Sequence, residues 1–168
     1  MNVTEAIRAR RSIRRFKSGF SLPEEHLHAI LEAGMMAPSA CNCRPWTFTV
    51  LQSEEAKQKM IALHPYAGHL RNASIGILVC ADESAETGIA EGYFPQDCGA
   101  AVENMLLQSL ELGYGSCWCG IYPRTERAAQ IRQAFSLSAT PIALVIIGKA
   151  DEAPAARGFY EKKKVTVL

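Results

Sequence analysis

Five arginines lie within eight residues near the N-terminus of this 168-residue chain, and Ser12 stands among them. They are Arg8, Arg10, Arg11, Arg14 and Arg15. Guanidinium groups are planar, stay charged and bind phosphate oxygens in pairs. The run therefore favours a doubly charged phosphate or a polyanion as its ligand. It is equally typical of a solvated helix end, where cations meet the negative end of the helix dipole.

Cysteine is the second residue type whose spacing could carry chemistry. Four of the six cysteines form two Cys-x-Cys pairs, Cys41/Cys43 and Cys117/Cys119. Four thiolates could bind a metal ion or an iron–sulfur cluster. The spacing differs from the usual zinc knuckle, and buried cysteine also serves as a small apolar side chain. We favour buried apolar cysteines and predict no metal site, while a thiolate metal protein stays open as an alternative.

Other patterns that supply catalysis are absent from the sequence. It contains no P-loop, no Gly-x-Gly-x-x-Gly and no Gly-x-Ser-x-Gly elbow. The histidines, His26, His28, His64 and His69, have no metal-ligand spacing, and we expect them to be solvated on polar turns and loops. The carboxylates fall mainly at solvent-facing helix positions. No catalytic side chain is predicted, so a bound cofactor would carry any redox chemistry.

The charge balance limits the partners of this chain. Lysine and arginine together number 18 and aspartate and glutamate 17. A general nucleic-acid binder carries an excess of positive charge over its domain, so we predict no nucleic-acid partner. A polyanion binder that uses only the arginine run stays open. No apolar run reaches transmembrane length and no export signal is recognisable, so we expect no membrane partner, a cytoplasmic location and free thiols.

Hydrophobic periodicity indicates the elements that must position these residues. It predicts helices over 2–9, 24–36, 53–63, 96–112 and 125–135, and strands over 46–51, 75–81, 116–119 and 141–148. Ser21 and Glu24 would form a capping box, and Met35 would belong to the core. The segment 82–94 is predicted to be a loop or a weak helix over the surface. Helices and strands alternate without a regular βαβ repeat, which indicates an α+β fold.

The order of several short motifs is more specific than any single motif. Arg10-Arg-Ser-Ile-Arg14-x-Phe16 comes first, and Ala37-Pro-Ser-Ala-x-Asn42-x-x-Pro-Trp46 follows. Asp97-x-Gly-Ala-Ala-x-x-Asn104 and Leu112-Gly-x-Gly-Ser-Cys-Trp-x-Gly120 come next. With these motifs in this order, the sequence resembles the nitroreductase family of flavin enzymes over nearly its whole length.

The resemblance implies a single domain over residues 1–168, with a central mixed, mainly antiparallel β-sheet flanked by helices. It implies an interlocked homodimer with FMN at the interface, and the tail 149–168 would pack on the partner subunit. The implied reaction is ping-pong: NADH or NADPH reduces FMN and leaves, and a small-molecule acceptor such as a nitroaromatic or a quinone takes the electrons. A flavin-binding relative specialised for dehalogenation or flavin fragmentation stays open.

The resemblance also implies which charged residues bind FMN. Arg10, Arg11 and Ser12 would hold the phosphate and the ribityl hydroxyls. Arg14 would support the same cluster. Arg157 in the tail matches a position that often carries a basic phosphate ligand in the family.

Two further segments would contact the flavin ring. A loop of the other subunit would supply a donor and an acceptor through its asparagine. The residues of that loop are Pro38, Ser39, Ala40 and Asn42. Backbone N–H groups of Cys119 and Gly120 would lie near flavin N5 and O4, where they could stabilise charge on the reduced ring. Cys41, Cys43 and Arg44 depart from the family pattern, which bears on acceptor specificity.

Overall fold

The computed structural model describes residues 1–155 and 157–168; Ala156, within the tail, lies outside them. The described chain forms five α-helices and four strands, joined by short 3-10 turns. The helices are α1 (Val3–Ala9), α2 (Glu24–Met35), α3 (Glu54–Leu63), α4 (Phe94–Glu111) and α5 (Thr125–Ala134). The strands are β1 (Trp46–Leu51), β2 (Ile75–Ala81), β3 (Gly115–Gly120) and β4 (Thr140–Gly148).

The four strands form one sheet in the order β1-β2-β4-β3, and each neighbouring pair is antiparallel. Every residue of β2 is buried, because both faces of this continuous apolar run are covered. Within the described chain, parallel pairing occurs only as an isolated bridge between Ser12 and Ser116. The predicted mainly antiparallel sheet flanked by helices is confirmed.

The sheet separates two hydrophobic cores. One core joins α2 and α4 to the sheet and includes Ile30, Met105 and Val79. The other joins α3 and α5 to the opposite face and includes Met60 and Leu78. Leu78 and Val79 are consecutive, so they point to opposite faces of β2. On β3, Cys117 and Cys119 belong to the second core, whereas Trp118 between them is 41% exposed.

The predicted starts of α1 and α2 agree with the structure to within one residue, but the predicted capping box of α2 is wrong. Asn2 caps α1 in a reciprocal capping box. No capping box forms at Ser21, because α2 follows Pro23 and has no side-chain cap. The N–H of buried Leu22 instead donates to Ser74 Oγ at 2.7 Å. A contact distant in sequence therefore determines how the chain enters α2.

Apolar side chains on the outer faces of α1 and α2 are exposed. Met35, expected in the core, is 53% exposed, and its neighbour Met36 is 75% exposed. Val3 and Ile7 on α1 are also exposed. We call these four residues the apolar helix face. In the part of the chain that the structure describes, no helix is both long and apolar enough to cross a bilayer.

Candidate functional site

The arginine run and the C-terminal tail meet in one cavity of about 450 Å³, here called the basic pocket. Its lining is Arg10, Arg11, Ser12, Arg14, Glu152, Pro154, Ala155 and Arg157. All the charged residues that the sequence singled out for a phosphate site therefore line a single cavity. The tail residue Arg157 is among them, although it is far from the run in sequence.

The run is positioned by an extended segment that follows α1 and lies along β3. The Ile13 N–H donates to Ser116 O at 2.9 Å, and Phe16 forms an isolated bridge with Ala150. Ile13 and Phe16 are buried, whereas Arg14 between them is exposed. A Cβ at Gly115 would lie 2.9 Å from Ile13 side-chain carbons, so a glycine there permits this close approach.

The guanidinium groups of the pocket are only partly neutralised by the protein. Arg10 Nε lies 3.2 Å from Glu103 Oε1, and Arg11 Nε donates to Ala155 O at 3.2 Å. Neither Arg14 nor Arg157 has an acid within salt-bridge distance among residues 1–155 and 157–168. The pocket therefore presents positive charge to a ligand.

Glu152 is the acid that lines the basic pocket, and its carboxylate accepts hydrogen bonds from backbone N–H groups. It accepts the N–H groups of Arg14 and Arg15 and lies 3.8 Å from Arg15 Nε. The hydrogen bond from the Arg14 N–H, followed by that from Arg15, holds the pKa of the Glu152 carboxyl below its usual value. Glu152 thus fixes the backbone of the run and stays ionised near neutral pH.

The loop 37–45 is anchored by a buried acid. The Ala40 N–H donates to both carboxylate oxygens of Asp97 at 3.1 and 3.2 Å. Asp97 lies in α4 and is only 6% exposed. Sequence reasoning placed the carboxylates mainly in solvent, and Asp97 is an exception because the loop backbone supplies its donor.

The rest of that loop is an unusual turn. Three residues of this turn, Cys41, Asn42 and Arg44, have φ of 49°, 56° and 50°. The left-handed region costs a non-glycine residue about 1–2 kcal/mol, so the hydrogen bonds of the loop must offset this strain. Arg44 supplies two, from its N–H to Ser39 Oγ and from Nε to Asn42 Oδ1, both at 2.9 Å.

The structure does not bring this loop to the basic pocket within one chain. Pro38, Ser39, Ala40 and Asn42 are absent from the lining of that cavity. Pro38 and Asn42 are exposed, and Ser39 and Ala40 are half-buried. These four residues therefore form a separate, partly exposed surface.

Cys119 and Gly120, the predicted flavin contacts, are the last two residues of β3, and β3 lies at the edge of the sheet. Gly120 is exposed, and no atom lies within 4 Å of the position that a Cβ would occupy there. A planar group could therefore approach the backbone at Gly120 closely. Cys119 is buried in the second core, so only its backbone is available on that side.

His64 was expected in solvent, but this prediction is wrong because His64 is only 1% exposed. Its Nε2 lies 3.0 Å from Gly120 O, and its Nδ1 accepts the Tyr66 N–H at 3.2 Å. Burial, the largest cause, lowers the pKa of His64. This neutral imidazole fixes the end of β3. Its partner lies 56 residues away, so no local sequence signal could have found it.

The cysteines behave mostly as predicted, as small buried side chains. Cys80, Cys98, Cys117 and Cys119 are buried, and burial raises the pKa of Cys80 and of Cys98 to about 12. The two Cys-x-Cys pairs do not combine into a four-thiolate site. In the described residues, the one group of three potential metal ligands joins Cys117 and Cys119 to His69 instead.

Comparison with known proteins agrees with this architecture. A family model described as the nitroreductase family matches residues 7–64 and 62–149. The chain belongs to the nitroreductase family. This nitroreductase-family chain is 37% identical over 167 residues to a Methanothermobacter thermautotrophicus protein provisionally named NADH dehydrogenase/NAD(P)H nitroreductase. That match covers 98% of this chain and 86% of the relative.

Solved structures share the fold over almost all of the chain. A provisionally named NADH dehydrogenase/NAD(P)H nitroreductase from Bacteroides thetaiotaomicron superimposes with a TM-score of 0.89 at 30% identity, covering 98% of this chain and 95% of that one. A provisionally named nitroreductase from Desulfovibrio desulfuricans, crystallised with FMN, gives 0.88 at 30% identity, with coverages of 100% and 97%.

Proposed function

We propose that this chain is an FMN-dependent oxidoreductase that uses NADH or NADPH to reduce small acceptors such as nitroaromatics and quinones. The observation that carries the proposal is the basic pocket, where the arginine run and Arg157 converge. Family membership supports it, as does the FMN complex of the Desulfovibrio desulfuricans relative.

The donors in the pocket fit a phosphate monoester. Arginine gives charge-assisted, bidentate hydrogen bonds to phosphate, and a serine hydroxyl adds a neutral donor. Arg14 and Arg157 carry charge that no acid neutralises among the described residues, and Ser12 stands beside them. A dianionic phosphate would balance this charge. The FMN phosphate would therefore be held by Arg10, Arg11, Ser12, Arg14 and Arg157.

We propose that the flavin ring is held between two chains of a homodimer. Pro38, Ser39, Ala40 and Asn42 do not reach the basic pocket of their own chain, so they would contact FMN in the partner's site. The anchoring of Ala40 by Asp97 supports a rigid loop, which would lose little entropy on binding. The exposed tail side chains Phe159 and Tyr160 would gain cover from the partner.

The residues of this chain would bind and orient the cofactor and need not act as acid or base. When bound, FMN would supply the ping-pong transfer of electrons from NADH or NADPH to the acceptor. The backbone N–H groups of Cys119 and Gly120 would stabilise charge on the ring. The open space beside Gly120 supports a close approach to this backbone.

Flavin content and affinity test the proposal. We expect the purified protein to be yellow and to release FMN on denaturation. Charged hydrogen bonds contribute about 1.5–3 kcal/mol, so Arg14→Ala should weaken FMN binding roughly 10- to 150-fold in a fluorescence titration. Arg15→Ala is the matched control, because Arg15 is 71% exposed and faces Glu152. We expect its FMN affinity to be unchanged.

Two outcomes would contradict the proposal. One is a colourless protein that FMN does not reconstitute. The other is equal FMN affinity for Arg14→Ala and Arg15→Ala. Anaerobic mixing of the loaded protein with NADH or NADPH, followed by an acceptor panel, tests the reaction separately from binding. Loss and recovery of the oxidised-flavin absorbance would report the two half-reactions.

A further inference from the structure

A second cluster of reactive side chains lies outside the basic pocket, and the proposed flavin site does not use these side chains. It consists of His69, Cys117 and Cys119, and one ligand atom from each lies within 4.8 Å of the others. His69 Nε2 is 3.9 Å from Cys119 Sγ. A nitrogen and two sulfurs are therefore gathered around one point.

The backbone places both sulfurs on the same side. Cys117 and Cys119 are two residues apart on β3, so their side chains point to one face of the sheet. They are 2% and 6% exposed. In a tetrahedral zinc site, two sulfur ligands lie about 3.8 Å apart and a sulfur and a nitrogen about 3.6 Å apart, from ordinary bond lengths. The observed 3.9 Å between His69 Nε2 and Cys119 Sγ is close to the sulfur–nitrogen distance of such a site.

The segment that carries His69 is fixed to the strand that carries the cysteines. His64 Nε2 lies 3.0 Å from Gly120 O at the end of β3, and Cys119 Sγ lies 3.7 Å from Tyr66 O. The His69 ring stacks on Phe16, with centroids 6.1 Å apart and 19° between the planes. Because both nitrogens of His64 are already used, His69 is the imidazole of this group that can serve as a ligand.

Charge also favours a divalent cation in the cluster. Two thiolates would neutralise a doubly charged ion and leave no net charge buried.

We propose that His69, Cys117 and Cys119 bind one Zn²⁺ ion, with water as the fourth ligand. Binding would form one Zn–N and two Zn–S bonds, and the two thiol protons would pass to solvent. His69 is half-buried, which leaves a path from solvent for the ion and for the water. The proposed zinc site uses the side chain of Cys119, whereas the proposed flavin contact uses its backbone N–H.

Zinc stoichiometry tests the site. Reduced, chelator-treated protein would be dialysed against buffered Zn²⁺ and its metal content measured by atomic emission. We expect one zinc per chain for the wild type, and an affinity at least about 100-fold lower for Cys119→Ser and for His69→Ala, which each remove a protein ligand. Cys41→Ser/Cys43→Ser changes the other Cys-x-Cys pair and should keep full binding. Flavin content, measured on the same samples, is a separate readout.

X-ray absorption at the zinc edge keeps the test decisive if a variant does not fold. Wild-type protein should give two sulfurs at about 2.3 Å together with nitrogen or oxygen neighbours at about 2.0–2.1 Å. The proposal is overturned if the fully reduced wild type takes up no zinc, or if its zinc has no sulfur neighbour. It is also overturned if the Cys41→Ser/Cys43→Ser variant loses zinc while Cys119→Ser retains it.

Discussion

At the scale of single residues, His64 is held as one neutral tautomer. Its Nδ1 accepts the Tyr66 N–H, so the proton must be on Nε2, which donates to Gly120 O. A second proton would break the bond to Tyr66 and place a charge in the core. Burial, the largest cause, and the charges of Arg127 and His69 oppose protonation and lower the pKa of His64.

This tautomer predicts how stability depends on pH. In the unfolded chain, His64 should titrate near pH 6.5, whereas the folded protein binds that proton only at lower pH. The unfolded state therefore binds more protons between the two pKa values, and the free energy of unfolding should fall as the pH drops below about 6.5. His64→Gln keeps an uncharged donor for Gly120 O. We expect this variant to have a flatter pH dependence in urea unfolding with a chelator present, and a slope equal to that of the wild type would contradict it.

Site residues could be predicted from the sequence when they form a local pattern, but not when their partners are distant in sequence. Four residues of the basic pocket, Arg10, Arg11, Ser12 and Arg14, could be named because they form a dense local pattern that leads to a family resemblance. Arg157 could be named only from that resemblance. His69 could not be named, since it approaches Cys119 across 50 residues. The positions of Cys117 and Cys119 on one strand were visible, but nothing local indicated which imidazole faces them.

At the scale of elements, the loop 37–45 depends on α4 for its conformation. Asp97 is buried and accepts the Ala40 N–H with both oxygens. Ser39 and Asn42 are in turn bonded to Arg44 within the loop. The strained turn is therefore tied to the longest helix by a single acid.

Removal of that acid should loosen the loop. Asp97→Ala leaves a backbone donor unsatisfied, and we expect a loss of about 1–3 kcal/mol in the free energy of unfolding. Hydrogen exchange over 37–45 should quicken, and FMN binding should weaken. Asp82→Ala is a control, because Asp82 caps only the exposed turn at Ser84. Loop exchange that is as slow in Asp97→Ala as in Asp82→Ala would exclude this role for Asp97.

Element types were predictable where one physical signal dominated. The bounds of β2 agree with those of its continuous apolar run, because a strand that is buried on both faces carries apolar residues along its whole length. The entry into α2 was not predictable, because Ser74 binds the Leu22 N–H and so competes with local capping. Buried Asp97 was missed for the same reason, since its donor comes from another element.

At the scale of the whole molecule, the apolar helix face is a candidate contact surface for the proposed dimer. Val3 is 73% exposed and Met36 is 75% exposed, and a cavity of about 470 Å³ lies between them and α4. Met35 was predicted in the core from its helical spacing. Spacing identifies an apolar side chain but cannot tell whether its own chain or a second copy covers it.

A charge on this face should separate the chains. We expect Met36→Glu to shift the proposed dimer towards monomer in sedimentation velocity and to lower FMN retention. Tyr66→Glu serves as the control, because Tyr66 is 73% exposed and its neighbour Ala67 is buried in the second core, on the other side of the sheet. A wild-type monomer, or equal dissociation of both variants, would refute the assignment of this face.

The two walls of the basic pocket come from segments that are far apart in the chain. Arg10 to Arg14 belong to one wall and Glu152 and Arg157 to the other, and 138 residues separate Arg14 from Glu152. Glu152 accepts the backbone N–H groups of Arg14 and Arg15, so the run lacks this anchor until the segment around Glu152 has joined it. During synthesis, the ribosome adds Glu152 only after all four strands of the sheet. The cavity proposed to bind the FMN phosphate therefore closes after the sheet has been made.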